Sequence, residues 1–216
     1  MHDYRTIAEA RAHGVQVAAN NSVTYGGQPY SVHLDAVVLV LFSHGLDDLD
    51  LVCLGYLHDA VEDAKSPKDE AECLDQWAST MPDLDSDIFT DTLSALTHQR
   101  GVTRSIYLNN CFRSPRAAVV KVADRIANVE SCLARPLTSD LARIGLKYVK
   151  EWPQLRELAT LHQVSDDHNG LIPPCMASRL THCHAQLGAA VADFYAAEAL
   201  KHFAELERRT PDDCPF

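Results

Sequence analysis

The sequence predicts an all-α domain, and three observations carry that prediction. Apolar residues recur at helical spacing along nearly the whole chain, alternating strand-like runs are scarce, and no internal repeat breaks the pattern. At 216 residues the chain suits a single domain with a substantial buried core, a helical core of about 1–165 and a C-terminal helical extension of about 175–210.

Helices are expected near 4–19, 31–45, 47–63, 69–79, 85–97, 103–111, 115–133, 138–163 and 176–209. The first is amphipathic. The second contains the longest apolar run, "AVVLVLF", and the third contains "LVCLGY" before ending in the charged "LHDAVED". Three shorter segments follow with the same spacing. The segment 115–133 is apolar at Val119, Val120, Val122, Ala123, Ile126 and Ala127, and Pro153 should kink or break the one after it. The last, alanine-rich helix carries an apolar stripe for packing on the bundle or on a second subunit, so a homodimer is one expectation. Turn formers mark loops at "NNSVTYGGQP", "AKSP" and "DHNGLIPP", the last a candidate hinge.

A net charge of −11 argues against a nucleic-acid partner, which needs a basic footprint. The charge is uneven. From His98 to Arg125 six cations face one acid, Asp124, so this stretch carries +5 and the remainder −16, a distribution suited to a small anionic ligand. Seven cysteines without a CxxC pair fit reduced thiols. The start "MHDYRTIAEA" lacks a signal pattern, and no apolar run approaches the roughly 20 residues of a bilayer span. A soluble, cytoplasmic protein without a membrane partner is expected.

"LHDAVED", Leu57 to Asp63, carries the chemistry. If the helix continues, Glu62 and Asp63 stack one turn beyond His58 and Asp59, and like charges so placed repel unless a cation joins them. Other helices offer His33, in "QPYSVHLDAVVLVL", and Asp124, in "AAVVKVADRIANV". Asp124 should lie beside the core, where an unpaired carboxylate is costly; Lys121, Arg125 or a metal must compensate it.

Three motifs in this order, "GGQPYSVH", "LHDAVED" and "VKVADRIANV", resemble the HD-domain metal-dependent phosphohydrolases, in particular the alarmone hydrolases of Rel/SpoT type and their small stand-alone relatives. Weaker similarity runs on through "LKYVKEW" and "AEALKHFAELERR". The resemblance implies a compact HD-type helical bundle in which His33, His58, Asp59 and Asp124 bind one divalent ion, in this group manganese. Two imidazoles and two carboxylates independently suit a borderline first-row ion. The resemblance further implies acid/base work for Glu62 and Asp63, substrate contact for Asn128 and Tyr148, and removal of a 3′-pyrophosphate from a small nucleotide. Arg104, Lys121, Arg143 and Lys147 are candidates to offset phosphate charge.

The rim departs from the family pattern. Thr24 and Tyr25 stand where an Arg-Lys pair approaches the purine, Leu34 replaces a proline and Glu130 a basic residue. Tyr25 can stack on a base but lacks the planar donor fork. The base is therefore open among guanine, adenine and nicotinamide nucleotides. The alternatives are a phosphatase releasing orthophosphate, from NADPH or a nucleoside monophosphate, and a non-catalytic nucleotide sensor. A zinc site at Cys175, His182, Cys183 and His184 is disfavoured, because residues two apart on a helix diverge. His44 and His98 lack the spacing of a second metal site.

Overall fold

The computed structural model describes residues 4–162 and 172–208, with side chains as far as His202. Among the described residues the fold is all-α with one small hairpin. The elements are α1 (Tyr4–Asn20), β1 (Thr24–Tyr25), β2 (Gln28–Pro29), α2 (Ser31–Ser43), α3 (Leu49–Leu57), α4 (Ala60–Asp63), α5 (Pro67–Thr80), α6 (Ser86–Leu96), α7 (Arg104–Arg113), α8 (Pro115–Leu133), α9 (Ser139–Leu161) and α10 (Pro174–Arg208). None of these helices is long and apolar enough to cross a membrane.

Local chemistry sets several helix starts. The side chains of Asp85, Thr103, Ser114 and Thr138 each accept a hydrogen bond from the backbone N–H three residues on, and Pro67 and Pro115 occupy first-turn positions where no N–H is needed. Helix α8 runs through the middle of the bundle. Every residue from Ala117 to Ala127 is buried, because α2, α3, α6, α7, α9 and α10 all pack on it. Gly55 lets α2 approach α3: a Cβ there would lie 3.0 Å from Val38 Cγ2.

Three sequence expectations change. The helix expected over 47–63 is interrupted at His58 and Asp59, which form a turn between α3 and α4. Glu62 and Asp63 therefore do not simply continue α3. The loop "NNSVTYGGQP" contains a hairpin pairing Thr24 with Pro29 and Tyr25 with Gln28, and Gly26 and Gly27 supply the positive φ its two-residue turn requires (59° and 82°). Pro153 does not end α9. A proline inside a helix costs about 3 kcal/mol, but beyond it Leu155 and Ala159 are buried and Gln154 Nε2 donates to Ser105 O (3.0 Å), so packing outweighs the lost backbone bond. The long C-terminal helix is present; of the expected hinge, 167–174, residues 167–171 lie outside the described residues.

Candidate metal centre and its cleft

The first turn of α2 places His33, the α3–α4 turn places His58 and Asp59, and the middle of α8 places Asp124. Nε2 of His33 lies 3.4 Å from Nε2 of His58. Asp124 Oδ1 is 3.3 Å from His33 Nε2 and 3.8 Å from His58 Nε2. Asp59 Oδ2 is 2.9 Å from His58 Nε2 and 3.8 Å from His33 Nε2. His33, His58 and Asp124 are buried, and their ligand atoms all lie within 4.8 Å of one another. This group could hold a metal ion, with Asp59 at its half-buried rim.

Surrounding groups orient the donors. His58 Nδ1 donates to Gly55 O (2.9 Å), which turns Nε2 toward the carboxylates. Tyr30 donates its hydroxyl to Asp59 Oδ2, and Asn128 donates its amide to Asp124 Oδ1. Lys121 Nζ donates to Asp124 Oδ2 at 2.6 Å, and both side chains are buried. Of the partners open to Asp124, Lys121 is thus taken on one oxygen, while the other oxygen faces the imidazoles.

Electrostatics agrees with the geometry. Burial lowers the affinity of His58 for a proton, but Asp59 and Asp124 outweigh it and hold its pKa up at about 10. Burial pushes Asp124 up, but Lys121 and the two imidazoles hold it well below the usual carboxylate range. Asp59 is likewise held low, His58 outweighing its burial. Carboxylates that draw a proton onto His58 Nε2 would draw a divalent cation to the same lone pair. Two imidazole nitrogens and carboxylate oxygens form a donor set that fits such an ion.

A cleft of about 320 Å³ opens over the cluster. His33, Asp59, Asp124, Lys121, Asn128, Glu62, Arg104, Lys147, Tyr25 and Tyr148 all line it. Glu62 is held there by the backbone N–H of His98, which donates to Oε2 (3.2 Å). Asp63 is not among the residues that line the cleft; burial, then Asp59 and Glu62, push its carboxyl up to about 6. The Tyr25 ring lies 4.7 Å from that of His33, and its hydroxyl donates to Ala127 O (3.2 Å). Arg143 is set apart from the cleft residues. It is exposed, pairs with Asp140 at 3.4 Å and faces outward from α9.

The other sites weighed from sequence come apart. Cys175 and His182 are exposed while Cys183 and His184 are buried, and His184 stacks on Trp152 at 4.4 Å. His44 Nδ1 and His98 Nε2 each bond a backbone carbonyl, of Val40 and Val102. Sequence reasoning included Tyr30 in the "GGQPYSVH" approach to His33 but missed its bond to Asp59. It also missed the pairing of Arg125 with Glu151, 26 positions away, for which no local signal exists. No family model matches the chain, and no curated protein matches it either.

Proposed function

We propose that the chain is an HD-type, metal-dependent phosphohydrolase that removes the 3′-pyrophosphate from a small alarmone-like nucleotide. The observation that carries this reading is the meeting of His33, His58, Asp59 and Asp124, from three separate parts of the chain, at the floor of a cleft rich in cations. These four residues would hold one divalent ion, and two imidazoles with two carboxylates favour manganese or a similar first-row ion over calcium. Such an ion supplies Lewis acidity to a phosphoryl oxygen and acidifies water.

The chain's own residues supply the rest. Hydrolysis forms a bond from water oxygen to phosphorus and breaks the bond from phosphorus to the sugar 3′ oxygen. One water proton must leave, and the 3′ oxygen must gain one. Glu62 faces the cleft and accepts the water proton; Asp63, held at about 6, relays protons near neutral pH. Tyr30 and Asn128 fix the orientation of Asp59 and Asp124, and Arg104 offsets charge on the phosphoryl oxygens.

The expected result is manganese-dependent release of pyrophosphate from a nucleoside 3′-diphosphate, abolished by His58→Ala and by Asp59→Ala. Full activity in both variants would sink the reading. Orthophosphate as sole product would favour the phosphatase alternative, and binding without turnover in saturating manganese would favour a sensor.

A further inference from the structure

Helix α10 outruns the bundle on which it packs. Its Leu180, His184, Leu187 and Val191 recur at helical spacing and are buried, and α8 and α9 are the elements packed on this helix. From Ala192 to His202 every residue but the half-buried Phe194 is exposed. Glu198 and His202 stand where the buried stripe would continue, and the ion pair there, Lys201 Nζ to Glu198 Oε1 at 2.6 Å, stays within the helix. An apolar stripe resumes at Ala192, Ala196 and Ala199, flanked by Tyr195 and by Leu200, which is 70% exposed. It repeats the buried spacing but lies about 120° round the helix, at about 100° per residue, so the face that meets α8 and α9 cannot also bury it. Residues 192–208 extend about 25 Å, and a helical segment of this length depends on packing rather than on propensity.

The outer face of α2 presents the complement. Val32, Leu39 and Phe42 are exposed there, Leu39 by 67%, so α2 and the end of α10 together carry five of the ten large exposed apolar side chains among the described residues. Val32 and Leu39 open onto a groove of about 380 Å³ between α2 and α8, lined also by Ala36, Val40, Ala127 and Ala134. An apolar patch with a polar rim marks an interaction surface. On this rim the Arg135 guanidinium bonds only neutral oxygens, of Gly26 and Ser131, and forms no ion pair among the described residues. Asp193, on the flank of the α10 stripe, forms none either. Ridge and groove thus match in both shape and charge.

We propose that the occupant of the α2–α8 groove is the α10 end of a second copy of the chain, the two copies exchanging helices about a twofold axis with Asp193 of each meeting Arg135 of the other. A chain cannot seat its own end there. Arg179 of α10 itself lines the groove, and the unbroken helix carries Ala192 about 20 Å away along its axis. Area decides between one contact and two. A helix face about 25 Å long and about 10 Å wide covers about 250 Å² on each side, about 500 Å² in all, less than a specific complex buries; exchange doubles it to about 1,000 Å², enough for one. Tyr25, Ser131 and Arg135 line both this groove and the cleft, so the seated helix lies against the back of the β1–β2 hairpin. The interface does not depend on the hydrolase reading.

The mass of the full chain in solution tests the exchange. By sedimentation velocity the wild type should be a dimer at about 50 μM. Leu39→Asp and Leu200→Asp should each raise the dimer dissociation constant about tenfold or more with helical circular dichroism unchanged, since both side chains are exposed. Arg135→Glu and Asp193→Arg should each weaken the dimer about threefold, and combining them in one chain should recover it. Backbone hydrogen exchange at 24–29 and 192–202 should slow with rising protein concentration in the wild type but not in Leu200→Asp. A wild-type monomer at about 50 μM, or a charge swap without recovery, overturns the proposal. A dimer that ignores Leu39→Asp would mean that the α10 ends pair with each other, and one that ignores Leu200→Asp that the α2 faces do; either overturns the exchange.

Discussion

At the scale of single residues, burial makes each charged group depend on its partner. Lys121 and Asp124 are both buried and joined at 2.6 Å, so Lys121→Met strands a carboxylate beside two imidazoles. In chelator the variant should lose about 3–5 kcal/mol by denaturant unfolding, the cost of breaking a buried pair from one side. Manganese should restore part of the loss, since it would compensate the same oxygens; a loss below about 1 kcal/mol would contradict the pairing. His184 makes a second case. Neither of its ring nitrogens has a hydrogen-bond partner, and burial, helped by Arg125, lowers its pKa to about 4. The unfolded chain then binds a proton more readily than the folded one between the ordinary value and about 4. Stability from this group is full above about 6.5 and falls as pH drops, by up to about 3 kcal/mol. Melting temperatures of wild type and His184→Phe between pH 7 and 4 check this: the variant should lose less on acidification, and equal slopes would refute it.

At the scale of elements, close approach of helices decides where the donors stand. Helix α1 packs on α3, and a Cβ on Gly14 would lie 2.3 Å from the carbonyl oxygen of Tyr56. A backbone carbonyl cannot swing aside. Gly14→Ala should therefore push α1 from α3 and cost about 1–3 kcal/mol, read by thermal or denaturant unfolding. Unchanged stability would mean that α1 and α3 separate freely. Helix α10 is locked by different means. Arg179 forms two 2.8 Å bonds to Glu130 on α8 and one of 2.9 Å to Ser43 Oγ at the end of α2. Both members of the pair are partly exposed, so Glu130→Gln should cost no more than about 1 kcal/mol, and less at high salt. The position read from sequence as a lost basic residue is thus occupied by a helix clamp.

At the scale of the whole molecule, the candidate ion site draws on α2, the α3–α4 turn and α8, so filling it should stabilise the entire bundle. Manganese at about 100 times its dissociation constant should add about 2.7 kcal/mol to unfolding, and His33→Ala should abolish the increment. An equal rise in melting temperature in wild type and variant would place binding elsewhere. The sequence by itself determined the all-α class, the long terminal helix and the identities of His33, His58, Asp59 and Asp124 as candidates. Helical period and the chemistry of donor types are local properties, legible wherever they occur. Only the tertiary structure decided the break at His58 and Asp59, the hairpin at Thr24–Pro29 and the run of α9 through Pro153. It also decided that Lys121 belongs to Asp124, that Arg143 pairs with Asp140 away from the cleft lining, and that Arg125 and Arg104 share Glu151. Those outcomes depend on which side chains from distant segments compete for one buried space, and no local pattern records that competition.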